Sequence, residues 1–159
     1  MTEKLRSNIG TISEPIEQNY PKLIVETGEV YSPDRIGGNL KEIKEYWVSY
    51  GRRRGNPATI GREASETMQK RDIILDKKYQ SASREHAEIY FNEEENSFFL
   101  VDYSLNGTLI NGNRVGGNRV PQARKLKHED LIEIPPGPEK VALRFLMHER
   151  KGIKSWIKG

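Results

Sequence analysis

The stretch SREHAEIYFNEEENSFFLVDYSLNGTLING, residues 83–112, decides the fold of this chain. Two of its segments, HAEIYF (86–91) and SFFLVDY (97–103), are rich in aromatic and aliphatic residues and flank the polar loop NEEEN. Such segments are typical of β-strands, and a short polar loop between two of them indicates an antiparallel hairpin. The next segment, GTLING (107–112), ends in an Asn-Gly turn signal. The stretch therefore predicts consecutive antiparallel strands.

Segments of the same type recur on both sides of this stretch. They are ATIG, which starts at Ala58, DIIL (72–75), LIEI (131–134) and VALRFLM (141–147). Short apolar segments separated by turn residues are typical of an all-β sandwich or barrel. We therefore expect an all-β fold with only short helical turns.

The N-terminal third of the chain gives a weaker pattern. KLIVETGEV (22–30) predicts a first strand, and an insertion at about 31–44 combines turn residues with a helical turn around Leu40–Lys44. Aromatic residues then predict a strand at 45–50. Residues 1–20 show no period and are predicted to form a flexible N-terminal arm.

The C-terminal tail, residues 148–159, is basic. Its apolar residues Ile153, Trp156 and Ile157 fall on one face of a helix, which indicates a short helix. We expect this helix to fold back onto the sandwich. Docking of the tail onto a partner or a membrane surface is the alternative.

The composition limits the class of protein. The chain has 159 residues, enough for one domain with its own core, and it has no cysteine, which excludes disulfide frameworks and thiol catalysis. No apolar stretch reaches the ~20 residues that a membrane-spanning helix needs. The N-terminus lacks the apolar core of a secretion signal. These features predict a soluble, cytoplasmic protein.

The distribution of charge bears on nucleic-acid binding. The net charge is +3, but residues 57–146 carry 13 basic and 14 acidic residues, and the excess of positive charge lies mainly in the tail. A balanced central region disfavours a nucleic-acid-binding protein. The basic run GRRRG (51–55) keeps that class open as an alternative.

Three short motifs at predicted strand ends carry the chemistry of a binding site. They are Gly61-Arg62, the Ser83-Arg84 pair, and Asn106 with the residues that follow it. A phosphoryl group carries about −1.5 to −2 charges and three acceptor oxygens, so its receptor needs guanidinium, hydroxyl and amide donors. Arg62, Ser83 and Arg84 supply such donors. The Asn106 side chain has both a donor and an acceptor and suits the backbone of an extended peptide.

The motifs TIGR, SREHAEI and DYSLNGTLING resemble the signature of the forkhead-associated (FHA) domain family. The similarity runs over a motif-bearing core at 58–147, within a domain that we expect to span 21–147. The resemblance implies a sandwich of two sheets with about eleven strands. It also implies a non-catalytic module that binds phosphothreonine rather than phosphoserine, through a small pocket for the threonine methyl group.

The resemblance also assigns roles by position. It implies phosphate contacts for Arg62 and Ser83, a contact to the phosphate or the adjacent ligand for Arg84, and a peptide-backbone contact for Asn106. It implies structural roles for the remaining motif residues, which are Gly61, His86, Gly107 and Thr108. The sequence departs from the family at two places. Nine residues separate Arg62 from Asp72, a longer loop than usual, and Leu105 stands where many members have a hydroxyl residue.

Several other functions are weighed against this interpretation. Ser83, His86 and Asp102 could be taken for a catalytic triad, but a serine and a histidine three residues apart at a strand start point in different directions. The histidines show no metal-ligand spacing, and we expect no metal, no cofactor and no enzymatic activity. An FHA domain that binds protein independently of phosphate is a second alternative. The expected partner is a phosphothreonine protein downstream of a Ser/Thr kinase, or the chain's own N-terminal arm, and no sequence feature sets an oligomeric state.

Overall fold

The structure is a computed structural model, and it describes residues 21–33, 39–48, 57–63 and 71–147. The predicted N-terminal arm, the GRRRG run, the C-terminal tail and most of the loop after Arg62 lie outside the described residues.

The described residues form thirteen strands and no helix. No segment of the described ranges is therefore a helix that could span a membrane. The strands are β1 (Lys22–Thr27), β2 (Val30–Pro33), β3 (Leu40–Glu42), β4 (Glu45–Trp47), β5 (Ala58–Arg62), β6 (Ile73–Leu75), β7 (Ala87–Asn92), β8 (Ser97–Asp102), β9 (Thr108–Ile110), β10 (Asn113–Val115), β11 (Gln122–Lys125), β12 (Asp130–Ile134) and β13 (Val141–Leu146).

These strands form two sheets. The six-stranded sheet has the order β10-β9-β12-β13-β1-β4, and the seven-stranded sheet has the order β11-β8-β7-β5-β6-β2-β3. Among the described strands, every pairing is antiparallel except that of β5 with β6, which makes the seven-stranded sheet mixed. The expected all-β sandwich of two sheets is confirmed.

A single apolar core joins the two sheets. Alternate residues of the strands point into it, and in β7 this places Ala87 and Ile89 in the core while Glu88 stays only partly buried. Phe98 of the seven-stranded sheet meets Phe145 of the six-stranded sheet, with ring centroids 6.1 Å apart and a tilt of 56°. This tilted contact is a favourable geometry for two aromatic rings and ties the sheets together.

The structure corrects two details of the N-terminal region. The predicted helical turn around Leu40–Lys44 is wrong, because β3 pairs with β2 there, with Tyr31 opposite Glu42 and Pro33 opposite Leu40. The single strand expected at 22–30 is two strands, which separate at Gly28, a residue with φ 101°. Backbone pairing with a neighbouring strand outweighs the weak local helical preference.

The described residues form thirteen strands, against about eleven that the resemblance implied, and the sequence patterns did not mark the short polar strands among them. β10 and β11 contain three and four residues, mostly exposed, and no apolar alternation marks them. The predicted turns between strands are present, at Glu93–Asn96 between β7 and β8 and at Asn111-Gly112 between β9 and β10. Asn111 and Gly112 both have positive φ, 53° and 84°, as a tight hairpin turn requires.

We predict that Phe98→Ala lowers the free energy of unfolding by about 3–5 kcal/mol, because it leaves a cavity between the sheets. Phe99→Ala is the matched control, since Phe99 is the next residue of the same strand and is only partly buried on the opposite face. Urea denaturation should show less than half the loss for Phe99→Ala. Equal losses for both variants would contradict the placement of the core.

Candidate functional site

The site lies at one end of the sandwich, where the end of β5 meets two connections. β5 ends at Arg62, β7 starts at Ala87 opposite Ile60 of β5, and β8 ends at Asp102, directly opposite Ala87. The next strand, β9, starts at Thr108. The connections 81–86 and 103–107 are therefore neighbours, and the three predicted motifs come together.

Arg62 is fixed against the connection 81–86. Its backbone N–H donates to the carbonyl oxygen of Ser83 at 3.0 Å, and its side-chain Nε donates to that of Ala82 at 2.7 Å. The side chain is half-buried. Its two terminal nitrogens form no hydrogen bond or ion pair with another described residue. Arg62 is thus held in place by these two hydrogen bonds, and its terminal guanidinium N–H groups remain as donors for a ligand.

Gly61 permits this close approach. A Cβ at Gly61 would lie 1.8 Å from the backbone oxygen of Arg84, so any side chain there would displace the connection. The structural role expected for Gly61 therefore has a steric reason. The close contact between β5 and the connection 81–86 therefore requires glycine at position 61.

Ser83 links the two connections. Its Oγ accepts a hydrogen bond from the backbone N–H of Leu105 at 3.1 Å, which leaves the hydroxyl hydrogen available to a ligand. Asn106 lies on the second connection, and its Nδ2 donates to the backbone oxygen of Ser81 at 2.8 Å. The second N–H and the Oδ1 of Asn106 remain for other partners. Ser83 and Asn106 are thus held side by side.

Arg84 is exposed, and among the described residues nothing pairs with its guanidinium. Its backbone oxygen accepts a hydrogen bond from Arg71 Nε at 3.0 Å. Arg71 also forms an ion pair with Glu85 at 3.0 Å. Arg71 therefore braces the connection that carries Ser83 and Arg84, a role that the sequence did not suggest.

A buried network supports both connections from below. The Asp102 carboxylate accepts hydrogen bonds from the Ser104 N–H at 2.8 Å, the Ser104 hydroxyl at 3.0 Å and the Thr108 hydroxyl at 2.6 Å. Ser104 Oγ in turn accepts from the Gly107 N–H at 2.7 Å. Asp102, Ser104 and Thr108 are each 0% exposed, so these bonds are well shielded from water.

His86 joins this network to Ser83. Its Nδ1 accepts a hydrogen bond from the Ser83 N–H at 3.0 Å, so the proton of the neutral ring is on Nε2. Nε2 donates to the Gly107 carbonyl oxygen at 3.0 Å and lies 3.1 Å from Thr108 Oγ1. The ring is fully buried. Buried hydrogen bonds of the His86 ring therefore join Gly107 and Thr108 to the backbone of Ser83.

This geometry is not that of a catalytic triad. The Ser83 hydroxyl is bonded to Leu105, and His86 contacts Ser83 through the backbone N–H instead. Both ring nitrogens are occupied, and the ring has no access to a substrate. In the described ranges no group of three or more metal-ligating side chains is present. The hydrogen-bond donors of this site can bind an anion. His86 and Asp102, however, are not placed to activate the Ser83 hydroxyl for catalysis.

The sequence interpretation missed Asp102 and Ser104 as supports of the site. A signal for them was present, because an Asp at a strand end commonly accepts the N–H two residues later in an Asx turn. Arg71 had no such signal, since its contact to the Arg84 carbonyl spans 13 positions. Ser81 was also missed, because it contributes only a backbone oxygen.

We predict that folding loses stability between pH 7 and pH 5 because of His86. Burial lowers the pKa of His86 below its usual value of 6.5. The negative charge of Asp102 acts in the opposite direction and raises this pKa, but its effect is smaller. The unfolded chain therefore binds a proton that the folded chain does not, and the free energy of unfolding falls as pH decreases below about 6.5, by at most ~1.4 kcal/mol per pH unit.

Urea denaturation at several pH values measures this slope, and NMR of the imidazole follows the titration directly. A His128→Gln variant, with an exposed histidine changed, is the control and should keep the His86 titration. A His86 ring that titrates at its ordinary pKa in the folded protein would contradict the prediction.

The comparisons with known proteins agree with this geometry. Residues 58–135 match the FHA domain family model. No curated protein matches the chain. The match contains every residue of the site described above.

Solved structures with the same fold include two FHA domains and a splicing factor. An engineered FHA domain with a Myc-pTBD peptide is 21% identical, with a TM-score of 0.56 over 88% of this chain and 99% of that one. The yeast Pml1 splicing factor, described with its integration into the RES complex, is 20% identical, with a TM-score of 0.58 over 88% and 89%.

The kinase-interacting FHA domain of the kinase-associated protein phosphatase of Arabidopsis is 24% identical, with a TM-score of 0.52 over 82% of this chain and 97% of that one. These likenesses show the fold. The family is established by the match of its model to residues 58–135, which span β5 to β12. This part of the chain is an FHA domain.

Proposed function

We propose that this FHA domain binds phosphothreonine-containing peptides through Arg62, Ser83, Arg84 and Asn106, and acts as a non-catalytic cytoplasmic adaptor in signalling or assembly. One observation carries the proposal: Arg62 and Asn106, from two other segments, both donate hydrogen bonds to the backbone of residues 81–83, the segment that carries Ser83. Each keeps donors for a ligand.

The chemistry of these donors favours a phosphate. Arg62 and Arg84 provide positive charge, and the Ser83 hydroxyl provides a neutral donor beside them. Charge-assisted hydrogen bonds to a phosphate are shorter and stronger than those between neutral groups. Asn106 is already anchored on Ser81 and suits the backbone of an extended peptide rather than the phosphate itself.

The partner that this proposal implies is a protein phosphorylated by a Ser/Thr kinase. The engineered FHA domain was solved with a peptide, and the Arabidopsis domain is described as kinase-interacting, which supports a protein ligand here. Thr2 and Thr11 of the chain's own N-terminal segment are further candidate ligands, since covalent linkage raises their effective concentration. Titration with a phosphorylated peptide of residues 1–20 tests this, and no binding would exclude it.

Two rival functions make different predictions. A phosphate-independent interaction module would bind its partner equally well with or without phosphate. A nucleic-acid-binding protein would lose affinity steeply with salt, and neutralising Arg52, Arg53 and Arg54 would abolish binding. The balanced charge of residues 57–146 disfavours the second rival.

We predict that Arg62→Ala weakens phosphopeptide binding at least tenfold, since a charge-assisted hydrogen bond contributes about 1.5–3 kcal/mol. Arg62→Lys should bind with intermediate affinity. Lysine keeps the positive charge, but its single ammonium group cannot both donate to the Ala82 carbonyl and donate two parallel hydrogen bonds to the phosphate. Arg144→Ala is the control, because Arg144 of β13 lies in the six-stranded sheet, whereas Arg62 lies in the seven-stranded one, and pairs there with Glu26 of the neighbouring strand β1. Titration calorimetry measures the affinities, and an unchanged affinity for Arg62→Ala would remove that residue from the site.

We also predict how affinity depends on the ligand and on pH. The second ionisation of a phosphate ester lies near pH 6, so binding should strengthen between pH 5 and pH 7 and then level off. His86 is buried and neutral and should not supply this dependence, so a folded His86→Asn variant should keep the profile. Phosphoserine should bind a few-fold more weakly, because one methyl group contributes about 0.8 kcal/mol.

Calorimetry with four peptides checks this prediction. They carry phosphothreonine, phosphoserine, glutamate or unmodified threonine at one position in a constant sequence. Glutamate should lose most of the binding, since it has one charge and a planar head group. Equal affinity for phosphothreonine and threonine would exclude a phosphate-binding site and favour the phosphate-independent module.

A further inference from the structure

Two of the ten asparagines of the chain, Asn106 and Asn111, are followed by glycine. In an Asn-Gly sequence the glycine nitrogen attacks the side-chain amide carbon of the asparagine with little hindrance, because glycine has no side chain. Asparagine is accordingly among the thermolabile residues of proteins. Asn106 also belongs to the proposed binding site, so a chemical change in its side chain bears directly on ligand binding.

The fold requires glycine after Asn106. Gly107 has φ 91°, a conformation that other residues rarely adopt, and a Cβ there would lie 2.8 Å from Nε of Arg114. The proposed contact to the backbone of the peptide requires both the donor and the acceptor of an asparagine at the preceding position. The reactive pair therefore follows from the combined demands of the fold and of the site.

Hydrogen bonds hold both reacting groups of this pair. The Gly107 N–H donates to Ser104 Oγ at 2.7 Å, and Asn106 Nδ2 donates to the Ser81 carbonyl oxygen at 2.8 Å. Attack requires the Gly107 nitrogen to lose its proton, and the Asp102 carboxylate, 3.0 Å from Ser104 Oγ, opposes a second negative charge beside it. Reaction therefore requires local opening of this connection.

Arg114 acts on the same peptide group in the opposite direction. Its guanidinium donates to the Asn106 carbonyl oxygen, which makes the adjacent Gly107 N–H easier to deprotonate. Arg114 is exposed, whereas Asp102 and Ser104 are each 0% exposed. Water screens the exposed charge more than the buried one, so the effect of the carboxylate dominates.

We propose that Asn106 is a deamidation site that reacts only when the connection 103–107 opens, so that a bound phosphopeptide prolongs the active life of the domain. The identity of the protecting ligand rests on the proposed function. The reactivity of Asn106 and its protection by the fold do not.

The reaction consumes water and no other reactant. The Gly107 nitrogen, after losing its proton to hydroxide, forms a bond to Asn106 Cγ, the bond from Cγ to Nδ2 breaks, and Nδ2 leaves as ammonia with a proton from water. Water then opens the cyclic imide at either carbonyl and gives aspartate or isoaspartate. No group is oxidised or reduced.

Both products disable the proposed site. Aspartate loses the Nδ2 donor that is bonded to Ser81 and adds a negative charge to a site for an anion. Isoaspartate lengthens the backbone between Asp102 and Thr108, whose side chains are joined by a hydrogen bond of 2.6 Å. Neither product returns to asparagine, so a domain that reacts stays inactive.

Peptide mapping by mass spectrometry tests the protection by following the exchange of NH₂ for OH at each asparagine of the full chain near neutral pH. Asn106 should react at least about tenfold more slowly in the folded chain than in the urea-unfolded chain, because opening breaks two hydrogen bonds. A saturating phosphothreonine peptide should slow it at least about tenfold further, since only the ligand-free fraction opens.

Asn111 is the internal reference, since it lies in an exposed turn and its side chain is bonded to Asp130 and Leu131 instead. Its rate should change less than about twofold with the phosphopeptide. Ser104→Ala removes the acceptor of the Gly107 N–H and should speed the reaction of Asn106 about fivefold. Urea below the unfolding transition should speed it in the wild-type chain, which covers the case that Ser104→Ala fails to fold.

Asn106→Asp reproduces one product and should bind the phosphopeptide at least about tenfold more weakly than the wild-type chain. Asn111→Asp is the matched control and should keep the wild-type affinity. Equal rates at Asn106 in the folded and unfolded chains would overturn the protection, and an unchanged rate under bound phosphopeptide would overturn its link to occupancy. If freshly prepared chain with intact Asn106 binds no phosphopeptide, the proposed function fails, and the comparison of folded with unfolded chain still decides the deamidation site.

Discussion

The buried carboxylate of Asp102 is the constraint on which the rest of the site depends. A carboxylate removed from water is costly unless donors surround it, and here Ser104 and Thr108 supply them. Because Asp102 ends β8 and Thr108 starts β9, satisfying the carboxylate fixes the path of the five residues between them. Asn106 takes its position from that path. Asn106, which we propose binds the peptide backbone, is therefore positioned by a buried carboxylate that lies outside the proposed binding site.

The buried Asp102 carboxylate also leaves no space for a side chain at residue 116. A Cβ at Gly116 would lie 2.3 Å from Asp102 Oδ1, and Gly116 has φ 79°, so the carboxylate occupies the space of a side chain on the neighbouring connection. Gly61 and the Arg84 carbonyl show the same relation on the other side of the site. Close backbone packing, rather than side-chain contact, brings the connections together.

The sequence was sufficient for the all-β architecture and for the three motifs that the fold brings together, but not for the contacts that hold those motifs in place. Alternation and turn signals mark β7, β8 and the Asn111-Gly112 hairpin because these features are local. β3 escaped detection because its pairing with β2 is decided by a neighbour rather than by its own residues. Arg71 and the connection 116–120 contact residues that are distant from them in the sequence. These contacts exist only once the sheets have formed.

The hydrogen bonds around His86 cross from one sheet to the other. His86 precedes β7 in the seven-stranded sheet, whereas Gly107 and Thr108 lead into β9 in the six-stranded sheet. A ligand that contacts both Ser83 and Asn106 would therefore connect the two sheets of the sandwich. Its binding free energy would be linked to opening of the whole domain rather than of one loop. For a ligand at one hundred times its Kd, such linkage adds about 2.7 kcal/mol to global stability, so occupancy and resistance to unfolding would rise together.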